Sequence, residues 1–262
     1  MKIGLYTDLS TAPELPRDQV AFIEENLQTF LVPESDESVF EERLKLARAG
    51  GYQVPVVNRF LPADLKIVGP SVDKTRLLRW AQTAMRRAEI AGVKIVVWGS
   101  GAARRATDGF PIAAAVEQYV DAVRWVAPVA QEHGVLIVIE PLSRGDSNVV
   151  MSIAEGAQVV DAVASPAVGL LADTWHMMLE GEPVSELERF ASRLAHVHTS
   201  ELKQRAVPGT FGDDLRPYLS ALRRGGYKGD IVVEPEWKNV HSESRLAVTT
   251  LRAQMTDAGW PV

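Results

Sequence analysis

VLIVIE (135–140), VGLLAD (168–173), AHVH (195–198) and IVVE (231–234) share one plan: a short, largely apolar run that ends on a side chain of metal-ligand type. Short apolar runs of this kind suit strands covered on both faces, as in a parallel sheet. Where helices join parallel strands, the C-terminal strand ends lie on one face, so Glu140, Asp173, His198 and Glu234 are expected to meet there. Three carboxylates and one imidazole would then make a site for a divalent cation.

The rest of the chain alternates β-branched runs with stretches of helical periodicity, the pattern of repeated βα units. Strands are expected near 2–6, 20–25, 54–58, 93–98, 135–140, 168–173, 195–199 and 230–234. Helices are expected over Glu37 to Ala49, Asp73 to Ala91, Ile112 to Glu132, Ile153 to Ala164, Val184 to Leu194, Leu215 to Arg224 and Ser242 to Ala258. The helix after Pro111 lines up Val116, Tyr119, Val120, Val123, Val126, Ala127 and Ala130 on one stripe, as a helix lying on a sheet requires. Gly50-Gly51, Gly92, Gly134 and Gly225-Gly226 each separate a helix from the next strand, where a left-handed cap is expected. Only APELPRDQ (12–19) parts the first two strands, so the first outer helix should be shortened or missing. The fold expected is a single α/β domain over residues 1–262, a closed (β/α)8 TIM barrel. No GxGxxG or GxxxxGK[ST] follows an early strand to suggest an open nucleotide-binding sheet.

With 46% hydrophobic and 24% charged residues and no low-complexity stretch, the 262-residue chain can bury a large core. It has no Cys, which excludes disulfides, thiolate metal sites and a cysteine nucleophile; a metal must be held by oxygen and imidazole. Such a set suits Mn2+ foremost, with Mg2+, Co2+ or Zn2+ as alternatives. A net charge of −6 opposes an extended nucleic-acid interface. Arg86-Arg87 and Arg223-Arg224 fall in expected helices and read as solvated faces. MKIGLYTDLS lacks the basic and apolar segments of an export signal, and no run of about 18 apolar residues is present. A cytoplasmic protein with neither a membrane nor a nucleic-acid partner is expected.

VIEPLSR (138–144), LADTWHM (171–177), HVHTSE (196–201), RAVPG (205–209) and VVEPE (232–236) together resemble the xylose isomerase-like TIM-barrel superfamily. Within it the likeness is to sugar phosphate isomerases and epimerases, including ketose 3-epimerases. NRFLP (58–62), WGSGAARRATDGF (98–110) and LRRGGYKGDIVVEPE (222–236) extend it over most of the chain. The resemblance implies that Glu140, Asp173, His198 and Glu234 bind the metal and that Glu140 and Glu234 are the catalytic acid/base pair. A metal chelated by a carbonyl and its neighbouring hydroxyl acidifies the adjacent C–H. One carboxylate takes that proton, and its return to the cis-enediolate from the opposite face inverts the carbon. By the same resemblance His176 faces the oxygens of a small sugar or polyol substrate, and Arg205, in an R-x-x-P-G loop, polarises its carbonyl. Asp146 stands where the epimerases carry a substrate-binding Glu and Ser143 where they carry Asn. The step from His198 to Arg205 is also one residue longer than theirs. These departures leave the substrate open.

Trp98 is read as an apolar wall for a sugar face. Gly99-Ser100-Gly101, followed by Arg104 and Arg105, suits either a tight βα turn or a cradle for a phosphate or carboxylate. His133 and His241 are read as structural, and His196 as pointing away from His198 by strand alternation. An inosose- or dehydroshikimate-type dehydratase is the alternative activity, because β-elimination begins with the same proton abstraction. A three-zinc endonuclease of the same superfamily would need more imidazoles than His176 and His198 offer. A non-catalytic binding protein on this fold is a further alternative. A homo-oligomer is left open, with Trp260 as either a dimer contact or local packing.

Overall fold

The computed structural model describes residues 1–261; the last residue of the expected domain, Val262, lies outside them. Eight parallel strands close into a barrel: β1 Ile3–Tyr6, β2 Phe22–Asn26, β3 Val56–Asn58, β4 Ile95–Trp98, β5 Leu136–Ile139, β6 Val168–Asp173, β7 Leu194–Thr199 and β8 Ile231–Val233. Each strand pairs with its sequence neighbours, and β8 returns to β1 through Ile3↔Ile231 and Leu5↔Val233. Around them run α1 Leu27–Phe30, α2 Glu37–Gly50, α3 Lys74–Ala91, α4 Gly101–Arg104 and α5 Ile112–Glu132. They are followed by α6 Ile153–Val163, α7 Thr174–Glu180, α8 Val184–Phe190, α9 Arg216–Arg224 and α10 Val240–Asp257. The expected closed (β/α)8 barrel is the fold observed. The additions are the short helices α1, α4 and α7, too brief to show a periodic stripe in sequence.

Alternation along the strands sorts the side chains into layers. Phe22, Val56, Val97, Val138, Leu171 and Val232 point inward and fill the middle of the barrel. Gly4 belongs to the same layer, and a Cβ there would collide with the Phe22 ring. Side chains on the opposite parity, such as Val57, Val96, Ile137 and Ile139, pack under the helices with the inner stripe of α5, including Tyr119, Val123 and Val126. Two residues beyond the middle layer, at the C-terminal mouth, come Glu24, Asn58, Gly99, Glu140, Asp173, His198 and Glu234. The same period-two geometry that builds the apolar plug thus delivers a polar ring above it.

Between β1 and β2 there is only a 3-10 turn, Leu9–Glu14, with Pro13 inside it. Proline removes a donor from a helical ladder, and the segment does not extend into an α-helix. The outer face beside β2 is therefore thinly covered. A cavity of about 290 Å³ opens there between the turn and α2, lined by Leu9, Pro13, Phe30, Arg43 and the Glu25 side chain.

One expected solvated face is corrected. Arg86 pairs with Glu37 at the surface, but Arg87 is buried and donates to the Leu31 and Ser35 carbonyls and to Glu37. It closes the loop between α1 and α2, whose carbonyls have no ladder partner. Among the described residues, no helix is long and apolar enough to cross a membrane.

Candidate metal centre

Glu140 follows β5, Asp173 and His198 stand within β6 and β7, and Glu234 follows β8, each on the inward parity. One ligand-type atom from each of the four lies within 4.8 Å of the others, and all four residues are buried. His198 Nδ1 is 2.9 Å from Glu234 Oε2 and 3.3 Å from Glu140 Oε1. A Cβ at Gly99, the inward position at the end of β4, would strike a Glu140 carboxylate oxygen, so glycine leaves the room that this carboxylate occupies. Three hard oxygen donors and one imidazole nitrogen, facing one point, fit a divalent cation. Burial alone would raise the Glu234 carboxyl, but Arg205 and then His198 outweigh it and hold it well below the usual carboxylate range. Burial likewise opposes charge on His198, and the surrounding Glu24, Glu234 and Glu140 raise its pKa well above that of a free imidazole.

The polar shell around the four is equally specific. Asn58 Nδ2 donates to Glu234 Oε1 at 2.7 Å, which fixes the carboxylate plane. Arg205 Nη2 reaches Asp173 Oδ2 at 2.8 Å and Glu234 Oε2 at 2.5 Å, and its guanidinium lies 4.5 Å over the Trp175 ring. Gln204 and Arg205 take positive φ of 60° and 46° to present that side chain. The loop is held in this shape by Glu201, a buried carboxylate that accepts from the backbone N–H groups of Gly209, Phe211 and Gly212. His176 Nδ1 accepts from the Ser143 N–H at 2.9 Å, so the ring proton sits on Nε2, 3.7 Å from Asp173 Oδ2. Asp146 accepts from Ser143 Oγ at 3.1 Å and borders the mouth. A cavity of about 1210 Å³ leads from outside to Glu140, Glu234, His176, Arg205 and Asp146.

Two sequence expectations change. Trp98 is fully buried on the outward parity, edge-on to Phe60 at 4.8 Å and to Tyr119 at 5.8 Å, so it offers no wall to a sugar. Val97, not Trp98, takes the inward position, and the next inward residue is Gly99. His196 does not point away from His198: strand positions two apart share a face, and the two rings lie 5.0 Å apart inside the barrel. Gly99-Ser100-Gly101 forms a tight turn, with Ser100 at φ 44°. Arg104 is buried and donates to the carbonyl oxygens of Trp98 and Glu140, which removes it from any anion cradle. Trp260 packs locally, its indole N–H donating to the Leu219 carbonyl at 2.9 Å.

Sequence reasoning missed Glu24, which lies beneath His198 at the end of AFIEEN. Two adjacent carboxylates closing a strand were a usable signal, because alternation must send one of them inward. Glu24 is that one, and Glu25 faces out.

These features define a closed (β/α)8 barrel with a three-carboxylate, one-imidazole cluster of cation-ligand type at its C-terminal mouth. The chain belongs to the xylose isomerase-like TIM barrel family, whose model matches residues 12–254. A D-psicose 3-epimerase from Ruminiclostridium cellulolyticum is 36% identical over 120 residues, 45% of this chain and 41% of that protein. Inosose dehydratase 2 from Bacillus cereus is 31% identical over 121 residues, 45% of this chain and 39% of that protein. The matched stretches thus span about two fifths of these curated relatives. A solved L-ribulose 3-epimerase superposes with a TM-score of 0.82 at 21% identity, covering 98% of this chain and 96% of that one. The 3-keto-D-glucoside 4-epimerase from E. coli does so with a TM-score of 0.77 at 19% identity, covering 98% and 99%. At these identities the superpositions show the fold.

Proposed function

We propose that this chain, acting as one domain, is a divalent-metal-dependent isomerase or epimerase of a sugar, sugar phosphate or sugar acid. The observation that carries the reading is the convergence of Glu140, Asp173, His198 and Glu234 within 4.8 Å, with Glu140 and Glu234 lining a cavity of about 1210 Å³. Similarity to ketose 3-epimerases supports the substrate class. Glu140, Asp173, His198 and Glu234 would hold the cation, with Mn2+ proposed from the oxygen-rich donor set. Once bound, a divalent cation draws electron density from a carbonyl and its neighbouring hydroxyl and so acidifies the C–H beside the carbonyl.

Glu140 and Glu234, one residue past β5 and β8, would approach the substrate from two sides. One, ionised, takes the carbon-bound proton; the electron pair moves into a cis-enediolate, and the other, which starts protonated, returns its proton on the opposite face. No net proton is gained or lost. Asn58 and Arg205 keep Glu234 ionised and oriented for this exchange. His176 presents its Nε2–H to a substrate oxygen, and Arg205 stabilises negative charge developing on the carbonyl oxygen. Asp146 is proposed to accept from a substrate hydroxyl at the mouth. A cytoplasmic setting belongs to the same proposal.

The test is proton exchange in D2O. The protein with Mn2+ is incubated with ketoses, sugar phosphates and keto-inositols, and deuterium at the carbon beside the carbonyl is followed by NMR. Metal-dependent exchange is expected. Glu140→Gln and Glu234→Gln should each reduce it by at least about a thousandfold with the fold retained, since a positioned proton-transfer group contributes about 10²–10⁴ in rate and both also touch the cation. Near-normal exchange in either variant would refute the two-carboxylate mechanism. Similarity to inosose dehydratases favours a second reading, elimination of water after the same abstraction. Appearance of a dehydrated, ultraviolet-absorbing product would select it.

A further inference from the structure

Beneath the proposed metal centre, Glu24 and His196, to which the mechanism assigns no role, form a buried cluster with the ligand residue His198. Glu24 on β2 faces His196 and His198 on β7 across the barrel interior. His198 Nε2 lies 3.0 Å from Glu24 Oε1 and 3.1 Å from Oε2, and His196 Nε2 lies 2.9 Å from Oε2. All three side chains are at most 1% exposed, so bulk solvent does not reach these contacts.

We propose that Glu24 is a positioning residue that clamps His198 by its Nε2 edge and thereby turns the Nδ1 lone pair toward the cation. This inference rests on the metal reading given above. Binding a cation requires the neutral imidazole, with one N–H and one lone pair, and the hydrogen bond at one nitrogen decides which nitrogen is then free for the metal. With Nε2–H donated to Glu24, the lone pair stands on Nδ1, the atom 2.9 Å from Glu234 and 3.3 Å from Glu140. His196 fixes the other side of the clamp. It donates to Glu24 Oε2 and stands edge-on to His198, with an interplanar angle of 86°. Neither the carboxylate nor the His198 ring can then rotate alone.

The geometry also explains two sequence choices. His196 occupies a middle-layer position where the neighbouring strands carry Val, Leu or Phe, and a lone imidazole there would be an unsatisfied polar group without Glu24. Glu24, in turn, is a carboxylate at the base of an already acidic ring. It is tolerable there because two imidazoles donate to it.

Glu24, His196 and His198 also bring ligand-type atoms within 4.8 Å of one another, so a second cation held by these three is the rival arrangement. Both imidazoles hydrogen-bond to Glu24 Oε2 with no ion, and the three side chains lie sealed in the barrel interior. Metal stoichiometry separates the two.

The experiment titrates Co2+ into metal-free wild-type, Glu24→Gln and His196→Gln proteins, read by calorimetry and by the visible absorption of the bound ion. Wild type should bind one equivalent. Glu24→Gln should bind one equivalent about 10–100-fold more weakly with shifted absorption bands, as expected when a partner that orients a metal-binding imidazole is altered. His196→Gln keeps a side-chain N–H that can donate to Glu24 and should lose less than about threefold in affinity. Unchanged affinity and spectrum in Glu24→Gln overturn the clamp, and so do two equivalents bound by wild type. If Glu24→Gln does not fold, 15N-histidine spectra of Mg2+-loaded wild type decide: protonation at His198 Nε2 is expected, and protonation at Nδ1 overturns it. No metal bound by wild type would defeat the metal centre itself, an outcome distinct from a metal that binds without regard to Glu24.

Discussion

Glu24 and Glu25 are adjacent carboxylates with opposite fates. Glu24 faces two imidazoles; burial would raise its carboxyl, but His198 and His196 outweigh this and lower its pKa. Glu25 faces the thinly covered outer wall, where one of its oxygens is buried without a hydrogen-bond partner. Burial, and then the nearby Asp8, pushes its carboxyl up to about 8. The folded state therefore holds the Glu25 proton more tightly than the unfolded chain does. Below about pH 4.5 both states are protonated and Glu25 contributes nothing to the pH dependence. Between about pH 4.5 and 8 the unfolded chain loses the proton first, so stability falls as pH rises, and the full loss is reached above about pH 8. Glu25→Gln should remove this slope and gain on the order of a few kcal/mol over wild type above about pH 8, with little gain near pH 4. Urea unfolding of both proteins across this range checks it; parallel curves would show that Glu25 is not the titrating group.

At the scale of the element, the loop after β7 shows how a site residue is carried by structure that is not itself reactive. Arg205 reaches Asp173 and Glu234 from a backbone with two successive left-handed residues, a conformation that non-glycine residues rarely adopt. Glu201 compensates by gathering three backbone N–H groups of the same loop, and the Glu236 N–H donates to the Arg205 carbonyl. Glu201→Ala removes three hydrogen bonds from a loop whose Phe211 and Gly212 are exposed, so water replaces part of them and the cost in urea unfolding should be about 1.5–3 kcal/mol, the worth of one hydrogen bond to a charged group. The same variant should weaken substrate binding by releasing Arg205. A loss of stability under about 1 kcal/mol would mean that the loop holds its shape without Glu201.

Over the whole molecule, a cation held by β5, β6, β7 and β8 ties together half of the barrel circumference. Saturation should therefore stabilise the fold as a unit. At about a hundredfold excess over Kd, a ligand specific for the folded state adds about 2.7 kcal/mol, equivalent to a rise of about 5–10 °C in Tm for a chain of this size. Calorimetric scans with Mn2+ and with chelator should differ by that amount, and Glu140→Gln should abolish the difference. Identical scans would mean that the four-residue cluster binds no cation.

The order of strands and helices, the barrel and the four residues of the proposed metal centre were legible in the sequence, because they follow from local rules. Strand ends in a parallel barrel share one face, so Glu140, Asp173, His198 and Glu234 could be brought together without knowing any distance. The missing first helix was equally readable, from the prolines of APELPRDQ. The tertiary structure decided what depends on parity within a strand and on partners far apart in the chain. Trp98 turns outward because Val97 turns inward. Arg87 is buried because it donates to carbonyls of the loop before α2, although paired arginines suggest solvent, and Arg104 is buried because it donates to the Trp98 and Glu140 carbonyls. Glu24 meets His196 and His198 from more than 170 residues away. No local pattern encodes that pairing; closure of the barrel brings it about.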